Sequence, residues 1–196
     1  MHKGQVTRSR ILDRAFRLAG RDGLKGVTLG TLAGELGMSK SGLFAHFASK
    51  EELQIEVLKT AAELFVQTVL SPAFQAPRGL PRIRKLFRNW LAWMNDPAMP
   101  GGCVFASAAM ELDDHPGAPR DFLVASQTEL RVTVAKTARI AVESGHFRAD
   151  LDTEQFVFEL MGVLFSYHQA RRLLKDKKAE DRAGAAFERL VEAARA

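Results

Sequence analysis

Three short stretches of this 196-residue chain hold residues whose types could do chemistry. The first is Asp113-Asp114-His115, where two carboxylates beside an imidazole could bind a metal or relay a proton. Pro116-Gly117 follows directly and places the trio on an exposed turn. No nucleophile, cofactor loop or metal-ligand spacing accompanies it, so no enzyme, metal site or cofactor is expected. The second stretch, Gly34 to Ser41, reads GELGMSKS, close to the phosphate-cradling G-x-x-x-x-G-K-S loop. Ser39 stands where that loop requires glycine, and no apolar strand precedes it. The third is Cys103, after Gly101-Gly102 and near the start of a helical pattern, a setting that can lower a thiol pKa. As the only cysteine it makes no internal disulfide and no cysteine-rich zinc site, which suits a reducing cytoplasm. It is expected as a small buried residue. A different chemistry remains in Ser39, Lys40, Ser41, Gly42, Ala45 and His46. These have little apolar surface to bury, and their place is at an interface with a polar partner.

The elements that must position this run are readable around it. Thr28 precedes a helical pattern and is a good N-cap. Leu29, Leu32, Ala33 and Leu36 form the apolar face of a two-turn helix. Gly37 tolerates positive φ, ends that helix and permits a sharp turn. Ser39 then caps a second short helix, with Met38 and Leu43 facing inward. A small residue at 33, glycine four positions on, and apolar residues at 32, 36, 38 and 43 are what a helix-turn-helix requires.

Helical periodicity continues along the chain. Ile11, Ala15, Leu18 and Ala19 make a stripe that ends at Gly23 and Gly26. Leu53, Val57, Ala61, Leu64 and Thr68 predict a long helix stopped by Ser71-Pro72. Ile83, Leu86, Phe87, Trp90 and Met94 predict another, and Leu123 to Ala141 a longer one ended by Gly145. Two more follow, Thr153 to about Lys175 and Ala179 to about Arg195. Alternating strand patterns are scarce. The expectation is an all-α fold of about nine helices. No run approaches the roughly 18–20 apolar residues of a membrane helix, and the first residues lack a signal-peptide core, so a cytoplasmic location is expected. Charge is uneven: residues 1–59 hold ten Lys and Arg against six Asp and Glu, residues 150–196 eight against nine. The overall net charge is +5. The front is suited to a polyanion and the back to a neutral partner.

RSRILDRAFRLAGRDGLKGVTL followed by TLAGELGMSKSGLFAHFASKEEL resembles the tetracycline-repressor-like (TetR) family of bacterial transcriptional regulators, over about residues 7 to 58. The resemblance implies a three-helix DNA-binding domain at 1–52, and a larger helical ligand-binding and dimerisation domain at 53–196. It implies that the second short helix enters the major groove of a pseudo-palindromic operator, with Lys40, Ser41, Gly42, Ala45 and His46 facing DNA. Thr28 and Lys50 would each bond a phosphate, and Ser39 stands with them at the interface. Ala45 can offer a methyl contact to thymine, and Lys40 either a guanine or a phosphate contact. Phe44 stands where the family usually has tyrosine. Without the hydroxyl a phosphate contact is lost, so Phe44, counted with the other DNA-interface residues, is expected to serve there by packing.

The back of the chain carries the other two expectations. Trp90, Trp93, Met94, Phe105, Met110, Phe122, Met161, Phe165 and Tyr167 each read singly as core. Together they could line a cavity for an apolar or aromatic effector, which the resemblance implies. The run from Phe156 to Tyr167 is apolar on nearly every side, and Gly162 permits close helix approach. With Phe187, Leu190, Val191 and Ala194 on the last helix, Phe158 and Gly162 are expected at a four-helix homodimer interface. His168 reads as packing or solvent-facing, and the basic run from Arg171 to Lys178 as a solvated helix end. The expected whole is a repressor that a small molecule releases from DNA. The alternatives are a DNA-binding regulator without an inducer, or an enzyme using the C-terminal cavity.

Overall fold

The computed structural model describes residues 3–97, 99 and 101–196. Among them the fold is all-α, with nine helices and one isolated β-bridge, Phe147 to Arg195. Helices α1 (Lys3–Asp22), α2 (Leu29–Leu36) and α3 (Lys40–Phe44) come first. Helix α4 starts as Lys50–Phe65, passes through a π-helical turn, Val66–Leu70, and ends with Ser71–Phe74. Then follow α5 (Leu80–Asn95), α6 (Val104–Leu112), α7 (Ala118–Glu143), α8 (Thr153–Arg172) and α9 (Ala179–Ala194). No described helix is long and apolar enough to cross a membrane.

Local chemistry explains most of the ends. Thr28 and Thr31 build a reciprocal capping box, each side chain bonding the other's backbone N–H at 3.0 Å. Gly37 closes α2 at φ +62, in the left-handed region. Asp152 caps α8 by accepting the N–H groups of Glu154 and Gln155. Pro72 departs from expectation, because it does not stop α4. Proline has no N–H for the preceding turn and crowds the carbonyl four residues back. Here the ladder changes register, the Ser71 N–H reaching Val66 five residues back, and the helix continues.

The chain forms two compact units, Met1–Leu64 with Asp96–Ser126, and Phe65–Asn95 with Gln127–Ala196. This differs from a single cut at 52/53: residues 53–64 and 96–126 belong with the first three helices. In the first unit the apolar stripe of α1, Ile11, Ala15, Leu18 and Ala19, is buried, as are Leu32, Leu43, Phe47, Leu53 and Val57. The Arg8 guanidinium lies 4.8 Å above the Phe47 ring, which fixes the end of the reading segment to α1. In the second unit Phe87 stacks on Phe187 at 4.0 Å, while Trp90 and Trp93 meet the Phe65 ring edge-on at 4.9 and 5.5 Å.

Candidate nucleic-acid interface

Helix α3 is a single short turn-and-a-half, and its two sides differ sharply. Leu43 and, just beyond it, Phe47 are buried and anchor it. Lys40, Ser41, Phe44, Ala45 and Lys50 are exposed, and Gly42 and His46 half-buried. Ser39 caps the helix by accepting the Gly42 N–H at 3.1 Å, and its hydroxyl stands 3.0 Å from that of Ser41. Residues 39 to 50 contain no acidic side chain. The structure thus brings the expected residues of α3 to one polar surface.

Phe44 is not packed into its own unit. It is 54% exposed, because Leu43 and Phe47 take the inward direction of this turn and leave position 44 pointing out. A phenyl ring on this surface offers apolar contact area to whatever the helix meets. Lys40 is also located more closely than its sequence position allows. Its Cε lies 3.8 Å from where a Cβ on Gly30 would stand, so its stem runs along the first turn of α2, near the Thr28 cap.

Several carboxylates of the first unit are paired with basic side chains, while Glu51, next to Lys50, is exposed. The guanidinium groups of Arg14, then Arg21, hold the Glu35 carboxyl below its ordinary range. The Lys59 ammonium, with Arg8 behind it, does the same for Glu56. Arg17 pairs with Asp13, and Arg21 with Asp22. These pairs neutralise carboxylates that would repel an anion, and Lys40 and Lys50 carry positive charge on the α3 side.

The other expected sites fare differently. Trp90, Trp93, Met94, Met161 and Tyr167 are buried in the second unit, with Phe165 half-buried. Phe105, buried, and Phe122, half-buried, belong to the first unit. Met110 is 69% exposed and falls on the outward side of α6, opposite Ala108 and Leu112. The Tyr167 hydroxyl donates to Asn95 Oδ1 at 2.7 Å, so this polar handle is taken within the chain. The indole N–H groups of Trp90 and Trp93 are buried and meet no hydrogen-bond acceptor among the described residues. A cleft of about 90 Å³ in the second unit is lined instead by Arg148, Asp152, Gln155, Phe156 and Glu159 among others, and by none of the expected pocket residues.

Helix α8 is not buried on every side. Phe156, Val157, Leu160, Met161, Leu164 and Tyr167 face inward, while Phe158 is 65% exposed and the space beside Gly162 is open. On α9 the residues expected at a dimer surface are turned inward. Phe187, Leu190, Val191 and Ala194 are buried against their own chain, Phe187 under Phe87, and Leu190 and Ala194 border the cleft beside α8. Periodicity marked a buried face and the buried face is intramolecular.

Asp113, Asp114 and His115 are exposed on the turn after α6, where Asp113 accepts the Asp114 N–H and the His115 ring approaches Lys25 Nζ. Among the described residues no group of three or more His, Cys, Asp or Glu side chains could hold a metal ion. Cys103 is buried at the start of α6. A residue that sequence reasoning missed is Glu111, whose carboxylate binds backbone of the turn between α1 and α2. No local pattern announces a bond across 86 residues.

Comparison with known proteins places this geometry. The chain is similar to a TetR transcriptional regulator from Chloroflexus aurantiacus, at 23% identity and a TM-score of 0.86, covering 98% of this chain and 96% of that one. It is similar to a putative transcriptional regulator from Saccharomonospora viridis in complex with choline, at 22% identity and a TM-score of 0.78, covering 94% and 95%. A third similar structure is AibR in complex with isovaleryl coenzyme A and operator DNA, at 22% identity and a TM-score of 0.71, covering 91% and 96%. At these identities the likeness establishes the fold. Comparison with the curated proteins finds no match. Residues 79–187 match the model of the tetracyclin repressor-like C-terminal domain, and residues 11–57 that of bacterial regulatory proteins, tetR family. With more than half of its length matched by one of these models, and its first helices by the other, the chain belongs to the TetR family of bacterial regulatory proteins.

Proposed function

We propose that the chain is a homodimeric DNA-binding repressor, released from its operator by a small apolar or aromatic ligand. The observation that carries the DNA-binding part is the surface of α3. Lys40, Ser41, Phe44 and Ala45 stand exposed on a helix anchored by Leu43 and Phe47, in a segment without acidic residues. A short helix with this composition fits the major groove, where hydroxyl, methyl and ammonium groups meet base edges and phosphates. AibR, of the same fold, is seen with operator DNA.

The dimer reading rests on Phe158 and the open space beside Gly162, an apolar stretch of α8 that its own chain leaves uncovered. Two-fold symmetry would give two reading heads and hence a pseudo-palindromic site. The effector reading rests on the buried indoles. Trp90 and Trp93 supply apolar walls and two N–H donors without an acceptor among the described residues, which an oxygen-bearing apolar ligand could satisfy. Similar folds are seen with choline and with isovaleryl coenzyme A.

The test uses a duplex that the protein itself retains from a random pool. Lys40→Glu combined with Lys50→Ala abolishes binding in an anisotropy titration and leaves the sedimentation coefficient of the dimer unchanged. Unchanged binding overturns α3 as the reading helix. For the effector, a panel of apolar and aromatic compounds contains one that raises the melting temperature and lowers duplex affinity. A panel that does neither overturns the inducer.

A further inference from the structure

The turn from α1 to α2 is held from outside on both of its peptide faces. Gln54 on α4, itself buried, donates from Nε2 to the Leu24 carbonyl at 2.8 Å. Glu111, on the last turn of α6, takes the N–H groups beyond. Its Oε1 accepts from Leu24 at 3.0 Å and its Oε2 from Lys25 at 2.7 Å. A carboxylate that accepts two successive backbone N–H groups makes charge-assisted bonds in a fixed, two-point geometry. Gly23 is what lets it approach. That residue sits at φ +80, and a Cβ there would collide with the Glu111 carboxylate.

Contacts on either side of α6 point the same way. Before it, Gly101 passes so near the carbonyl of Gly20 that any side chain at 101 would overlap it. After it, His115 Nε2 stands 3.1 Å from Lys25 Nζ. Lys25 lies three residues before Thr28, the cap of α2. Helix α6 is joined covalently to α5, which carries Trp90 and Trp93, and to α7.

We propose that Glu111 is the positioning residue through which α6 sets the orientation of α2 and α3, so that a displacement of α6 is felt at the reading surface through this carboxylate. This rests on the reading of the chain as a DNA-binding dimer. A staple that merely held the fold together would lower stability and leave the geometry of readout alone. A positioning residue governs which separation of half-sites the two heads accept, since that separation is set by their orientation.

The experiment compares the wild-type chain with Glu111→Gln and Glu111→Ala. The duplexes are one retained by the wild type and versions of it with the half-sites moved two base pairs closer or farther apart. Glutamine keeps the shape but turns an NH2 donor toward an N–H, so one of the two bonds is lost without a cavity. Affinity for the original duplex falls about tenfold in Glu111→Gln. The discrimination between original and respaced duplexes narrows by at least as much, and amide exchange at Leu24 and Lys25 accelerates. A wild type that retains no duplex overturns the DNA-binding reading and this proposal with it. If the wild type retains one, while both variants keep its affinity ratios across the three spacings, the proposal alone is overturned.

Discussion

At the scale of single residues, the first consequences concern Thr28 and Lys40. The Thr28 hydroxyl accepts the Thr31 N–H, satisfying one of the orphan donors at the start of α2. Thr28→Ala removes that bond and should cost about 1 kcal/mol, measurable as a lower urea midpoint with an unchanged slope. Lys40 was open between a guanine and a phosphate contact, and its stem lying beside Gly30 favours the phosphate. Lys40→Ala should then weaken all duplexes nearly alike and reduce the salt dependence of binding by about one unit of slope. Loss of preference at one base position, with the slope unchanged, would instead assign it to guanine. His168 sets a pH dependence. Burial, with help from the Arg172 guanidinium, pushes its imidazole below the ordinary value of 6.5. The unfolded chain therefore takes up its proton first as pH falls below 6.5, and stability declines through that window toward the folded pKa. Thermal melts between pH 7.5 and 5 should show this decline, and His168→Asn should flatten it.

At the scale of elements, two glycines illustrate two distinct demands. Gly37 stands at φ +62 with nothing near the position of a Cβ, so only the backbone conformation requires glycine. Gly37→Ala should cost about 1–2 kcal/mol, and Gly37→Asn distinctly less, since asparagine visits this region more readily. At Gly101 the obstacle is space, since a Cβ would strike the backbone of Gly20. Backbone cannot rotate away as a side chain can, so Gly101→Ala should lower the melting temperature more than Gly37→Asn does. Calorimetry on the three variants settles the order.

Elements were legible in the sequence where their causes are local. Thr28, Gly37, Ser39 and Asp152 act within three or four residues of themselves, so the helix-turn-helix and several helix ends could be read directly. Pro72 misled because a change to five-residue hydrogen bonding, invisible in composition, lets α4 continue to Phe74. The α9 stripe was correctly apolar and inward, but a period says only that a face is covered. It does not say whether Phe87 of the same chain or a second chain covers it. Met110 shows the same limit from the other side: an apolar residue type does not determine which way one turn of helix points. Glu111 was missed altogether, its partners being backbone groups far away in sequence.

At the scale of the whole molecule, the charge gradient and the uncovered α8 surface describe two different partners. The excess of positive charge in the first 59 residues is the part that a polyanion would feel. Duplex affinity should therefore fall steeply between 50 and 200 mM salt, by about a thousandfold for six phosphate contacts. Dimerisation, resting on apolar contact at Phe158, should be nearly indifferent to the same change. Phe158→Asp places a charge on that surface, and sedimentation should show monomers. The Gly23–Glu111 contact has a consequence of another kind, in the order in which mutations can be inherited. While glutamate occupies 111, a side chain at 23 must displace its carboxylate from Leu24 and Lys25, so a substitution at 23 costs those two bonds as well as the strain of the left-handed φ. Once a lineage shortens residue 111, the collision disappears and only the left-handed φ of +80 remains as a constraint. Asparagine then becomes admissible at 23. Substitution at 23 is thus cheaper where 111 is already short, and chains with asparagine at 23 should more often carry a short residue at 111.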